Sequence, residues 1–183
     1  RGESSSQLFE RMLESDPLRV RENSARRLRE VWFLLEPDRV FHRSLAVCAD
    51  AARCDEPPED LAAWAATKIE LAIEQLVRDD RAAEAAHPDV LTEEEQNFPL
   101  LTDCFFMEPG LVRAASVAFN ALDALPRRAF FELVIQGREV PEVIEAGPWD
   151  EDGLHQALQT ALATLSLDVQ PDPADPQPER SDE

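Results

Sequence analysis

Residues 121–165 read ALDALPRRAFFELVIQGREVPEVIEAGPWDEDGLHQALQTALATL. Leu125-Pro126 breaks one helix, and RRAFFELVIQ (127–136) then runs as another to Gly137. VPEVIEA (140–146) forms a short helix up to Gly147, and a last helix spans about Asp150 to Leu165. Each segment places apolar residues at three- and four-residue spacings, the period of a helix with one buried face. Gly137 and Gly147 stand where a left-handed residue closes a helix, so both are expected as C-caps. A helix, a turn, a short helix, a glycine turn and a second amphipathic helix suit a helix-turn-helix, whose last helix enters a major groove.

Upstream, LVRAASVAFNALDA (111–124) reads as one more helix, completing a four-helix C-terminal module over residues 109–167. Residues 87–108 read as a linker, with a short helix capped by Thr92 and Glu95. Residues 168–183 hold four prolines and six acids and are expected to be a disordered tail. Residues 1–7, RGESSSQ, have nothing to bury and are expected to fray.

Residues 8–86 read as an N-terminal helical bundle. A first helix is expected from Asp16-Pro17 through RVRENSARRLREVWFLL (19–35), with Leu18, Ala25, Leu28, Val31, Trp32 and Leu35 on one stripe. Glu22, Arg26 and Glu30 stand at i, i+4 spacings, so a solvated ion-pair ladder is expected on the other side. A second helix, DRVFHRSLAVCADAARC (38–54), ends before Pro57-Pro58. The third and longest, from Pro58 to Ala86, carries Leu61, Trp64, Ala65, Ile69, Ala72, Ile73 and Leu76 on a face wide enough to need two neighbours. With few glycines, no tyrosine and an excess of alanine, leucine, glutamate and arginine, the expected fold class is all-α: an N-terminal helical bundle plus a C-terminal helix-turn-helix-like four-helix module.

The C-terminal stretch resembles the promoter-reading domain of bacterial sigma factors of the extracytoplasmic-function type. Leu125-Pro126, Phe130, Leu133, Gly137, Glu142, Val143, Ile144, Gly147 and the series Leu154, Leu158, Leu162, Leu165 carry the resemblance in matching order. The interval from Leu125-Pro126 to Gly137 is about one helical turn shorter than is usual in that family. VFHRSLAVCADAARCDEPPEDLAAWA (40–65) is similar to the family's polymerase-contacting helix, acidic turn and Glu-Asp-Leu helix start, here Glu59, Asp60 and Leu61. AWAATKIELAIEQLVRDD (63–80) is also similar to the tryptophan helix that reads the promoter's upstream element. The two matches overlap, and both registers stay open. Together the resemblances cover residues 37–85 and 112–165.

The resemblance implies a recognition helix that opens with small polar and basic residues. Here it opens with Asp150, Glu151 and Asp152, which favour the helix through its dipole but repel a phosphate. His155, Gln156 and Gln159 remain as base readers. Upstream, Glu70 and Glu74 alternate with Lys68 and Arg78 where the family is mostly basic. The expected function is therefore sigma-factor-like transcription control through protein contacts, with RNA polymerase core or an anti-sigma factor as partner and DNA binding weak or absent. One alternative is a working divergent sigma factor whose basic contacts come from Arg19, Arg26, Arg27, Arg29, Arg127 and Arg128. Another is a helical adaptor or acidic DNA mimic unrelated to transcription initiation.

Charge leads the same way. The chain has 38 acidic and 18 basic residues, a net charge of −20. Nine of the basic residues lie in residues 1–45 beside eight acids, so residues 46–183 carry nine basic against thirty acidic groups. Phosphate binding needs cations at the contact, and this surface suits a basic partner or a plain solvated acidic exterior instead. No enzyme is expected: His42, His87 and His155 lie far apart in sequence, and His42 and Cys48 are about 120° out of register on their helix. Cys48, Cys54 and Cys104 lack paired zinc spacing and are expected reduced and partly buried. No metal, cofactor or small-molecule substrate is evident, and no apolar run reaches the roughly 18 residues of a membrane span. A cytoplasmic protein is expected.

Overall fold

The computed structural model of the 183-residue chain describes residues 10, 13–16, 18–54, 59–88, 90–93 and 98–166. Every regular element among the described residues is helical. The expected frayed start and acidic tail, Pro17, the Pro57-Pro58 break and Glu95 of the expected capping box lie outside the described residues.

Helix α1 spans Val20–Val31 and starts later than the sequence suggests. Asp16 still caps it, its carboxylate accepting the N–H groups of Val20 at 2.6 Å and Arg21 at 3.1 Å. Asp16 and Arg19 both take positive φ to bring the cap round. The helix stops at Trp32, itself left-handed with φ 57, instead of running on to Leu35. The cause is tertiary: Leu34 and Leu35, 1% and 4% exposed, belong to two different hydrophobic cores. A non-helical connector sends neighbouring side chains to opposite sides, which one helical face cannot do.

Helix α2 (Pro37–Cys54) begins with proline at its first position, and Glu36 Oε2 accepts the Arg39 N–H at 2.7 Å. Helix α3 (Leu61–Ala86) is capped by Asp60, whose Oδ1 accepts from the Ala62 and Ala63 N–H groups at 2.9 and 3.0 Å. These three helices share a core of Val20, Leu28, Leu35, Phe41, Leu45, Ile69, Ile73 and their neighbours. Arg39 bridges α2 to buried Asp80 on α3 with both guanidinium amines, at 2.6 and 3.2 Å. Leu61, expected on the apolar face of α3, is 54% exposed because it sits on the first turn, ahead of the buried stretch that starts at Ala65.

Residues 98–108, read as linker, contribute buried Phe98 and Leu101 to the second core. A π-helical turn at Leu100–Cys104 and the Met107 N–H bond to Leu101 O, 2.9 Å, fold the segment in. Its apolar residues have no helical period, so they look like a connector in sequence. A 3₁₀ turn, Pro109–Leu111, leads into α4 (Val112–Asn120). Helix α5 (Ala124–Phe130) widens into a π-helical turn at Phe131–Ile135 and closes at Gly137, whose φ of 64 is left-handed as expected. Phe119, Phe130 and Phe131 stack edge-on in the second core.

Helix α6 spans Val140–Ala146 and α7 spans Glu151–Leu165. Gly147 between them is extended, φ −121 and ψ 179, not the expected left-handed cap. Its glycine has another cause: a Cβ there would overlap the ring of Trp149 and lie 2.9 Å from Val143 O. Trp149 fills a third small core with Ala129, Val143, Leu154 and Ala157.

Candidate interaction surface on the last two helices

Helix α7 buries Leu154, Ala157, Ala161 and Leu165, one face at helical spacing. The opposite face exposes Glu151, Asp152, His155, Gln156 and Gln159. Asp150 caps the helix, Oδ1 accepting the Gly153 N–H at 2.8 Å. A helix N-terminus ordinarily offers its free N–H groups to an anion. Here the chain's own carboxylate takes that place, with two more beside it. Glu139, Glu142 and Glu145 are exposed on and just before α6, and α7 itself carries no lysine or arginine.

The nearest cations are turned inward. Arg128 lies over the rings of Trp32 and Trp149, 5.3 and 4.9 Å from their centroids, and donates to buried Glu132 and to Ala146 O. Arg138 donates to the other oxygen of Glu132 at 2.8 Å. Arg127 sits 4.2 Å from the Phe33 centroid. Burial lowers its pKa, the Asp123 charge partly opposing, and its Nε and Nη1 meet no hydrogen-bond partner. The Arg127-Arg128 pair therefore joins α5 to the connector after α1, with little left for an outside partner.

On α1 the expected Glu22–Arg26–Glu30 ladder does not form. Arg19 pairs with Glu22 at 3.8 Å, and exposed Arg26 donates to Asn23 Oδ1. Arg27 pairs with Glu30 and, across to α3, with Glu70. The Glu30 hydrogen bond leads in raising the Arg27 pKa, against the lowering by burial. The i, i+3 geometry and the approach of α3 together outcompete the i, i+4 pairs. Exposed Arg29 has no ion-pair partner among the described residues, and its backbone carbonyl accepts from Gln136 Nε2 at 3.4 Å.

Glu59 and Asp60 are exposed at the start of α3. Just beyond, Ala62, Ala66 and Glu70 line a groove of about 210 Å³ with Asn23, Arg26, Arg27 and Glu30. The structure thus brings the first turns of α3 together with the arginines of α1. Arg127, Arg128 and the α7 carboxylates lie on α5 and α7, outside that groove.

His42, His87 and His155 are all exposed, and no group of three or more metal-capable side chains occurs among the described residues. Cys48 is buried, and burial pushes its thiol up to about 11, Lys68 partly opposing. Cys104, expected to be partly buried, is exposed on the π-helical turn, its neighbour Leu101 taking the inward position. The side chain of Cys54 lies outside the described residues. No helix among the described residues is long and apolar enough to cross a membrane.

Sequence reasoning missed two features, the Trp32–Arg128–Trp149 stack and an apolar cleft between the first two cores. Both join residues about a hundred positions apart, and nothing local to any of them signals it. No family model, characterised protein or solved structure matches the chain.

Proposed function

We propose that this chain is a sigma-factor-like regulator acting through protein contacts, with RNA polymerase core or an anti-sigma factor as partner. In this reading α1–α3 are the N-terminal bundle, and α4–α7 are the helix-turn-helix-like module. The observation that carries it is the first turn of α7, where Asp150 caps the helix and Glu151 and Asp152 stand exposed. A nucleic-acid backbone is repelled there, whereas an arginine- or lysine-rich protein segment is attracted. The inward Arg127 and Arg128 weigh against the promoter-binding alternative, which needs them at the surface.

A pull-down with the full chain from the source organism's lysate, at low and high salt, tests this. Recovery of polymerase subunits or an anti-sigma factor at low salt, lost at high salt, is expected. Enrichment of neither, or tight promoter-DNA binding by the purified chain at high salt, overturns it.

A further inference from the structure

A cleft of about 400 Å³ opens between the first two cores. That is within the size range of pockets that bury small ligands. Leu28, Phe33, Leu35, Leu100, Phe131 and Ile135 form its apolar walls, drawn from α1, the connector after it, the 98–108 segment and the turn ending α5. Two charged residues reach it, Arg29 and Glu36. Glu36 is already engaged, since its Oε2 holds the Arg39 N–H at the start of α2. Arg29 is different: exposed, and without an ion-pair partner among the described residues, in a chain whose acids outnumber its bases 38 to 18. Of the neighbouring arginines, Arg21, Arg27 and Arg39 have carboxylate partners and Arg26 donates to Asn23 Oδ1.

An apolar cleft with one uncommitted cation at its mouth is complementary to a molecule with an apolar body and a single anionic end. A cationic ligand would face Arg29 unfavourably, and a wholly apolar one would leave it unused. We propose that the cleft binds an amphipathic monocarboxylate, its acyl chain against Phe33, Leu100, Phe131 and Ile135 and its carboxylate on Arg29. Because the walls come from both cores, and Gln136 already bonds Arg29 O across the same junction, an occupant stabilises the packing of the two halves. This binding is independent of what the acidic face of α7 contacts.

Dodecanoate and dodecanol, each titrated into the full chain below its aggregation concentration, separate the two contributions by calorimetry and thermal shift. Dodecanoate is expected to bind one to one and raise Tm, with dodecanol weaker by about tenfold. Arg29→Gln is expected to erase that difference while keeping the weaker binding, and Ile135→Trp, which fills the cleft, to abolish both. Circular dichroism checks the fold of each variant, and Leu100→Trp replaces Ile135→Trp if the latter does not fold. Absence of one-to-one binding, equal affinity for acid and alcohol, or undiminished binding by the cleft-filled variant overturns the proposal.

Discussion

Arg113 is 3% exposed, yet it carries a charge. Its Nε donates to Glu84 at 3.0 Å, and its terminal amines donate to the carbonyls of His87, Pro88 and Val90. One side chain thus satisfies the end of α3 and the start of the following segment, where the helix has run out of backbone partners. Arg113→Met is expected to lower stability by about 3 kcal/mol, because Glu84 and the carbonyls lose their donor; denaturant unfolding measures it. Cys48 makes a second prediction. Its thiol is raised to about 11, so the folded state holds the proton more tightly than the unfolded chain. Stability from this group is complete below pH 9 and is lost as pH climbs from about 9 towards 11. The unaltered chain should lose more stability over that window than Cys48→Ala, and equal losses would contradict the burial argument.

The α6–α7 turn depends on Gly147 for room and not for φ. Gly147→Ala forces a methyl into the Trp149 ring, which is packed in its own small core. A loss of about 1–3 kcal/mol, with a changed near-ultraviolet signal from the displaced tryptophan, is expected. Within α7 the exposed carboxylates act on the helix itself and, in the proposed function, on a partner. The Glu151→Lys, Asp152→Lys double variant removes favourable charge from the positive end of the dipole and should destabilise by roughly 1 kcal/mol. The same variant should lose the salt-sensitive partner recovered in the pull-down; full retention would place the contact elsewhere, with Glu59, Asp60 and Leu61 the next surface to alter.

The two main cores are held together by a buried exchange of hydrogen bonds. Leu34 N–H donates to Asn120 Oδ1 at 2.6 Å, and Asn120 Nδ2 donates to Leu34 O at 2.9 Å. Both groups of Leu34 lie in a connector without helical partners, so Asn120 supplies what the backbone cannot. Coupled in this way, and by Arg113 to Glu84, the halves should unfold in a single thermal transition. Asn120→Ala should split or broaden it, visible by calorimetry. A net charge of −20 also repels itself, so Tm should rise as salt increases from about 10 to 500 mM.

Helical period, proline and glycine punctuation and net charge are local or summed properties, and they made the all-helical class readable. They also located α7 from about Asp150 to Leu165 and the Ala86 end of α3, since each helix has an unbroken apolar stripe; the Asp60 cap that opens α3 was not read from the sequence, which placed the start at Pro58. The acidic face of α7 was legible for the same cause: exposure follows from the stripe on its other side. Where α1 stops, why Gly147 is glycine, and which way Arg127 and Arg128 point were not legible. Each is set by a neighbour distant in the chain: the second core for Leu34, the Trp149 ring for Gly147, and Phe33 and Trp32 for the arginines. The cleft at Arg29 belongs to that second group. Its walls meet only when residues 28–35 and 98–135 pack, and an arginine unpaired in space looks in sequence like every other arginine on its helix.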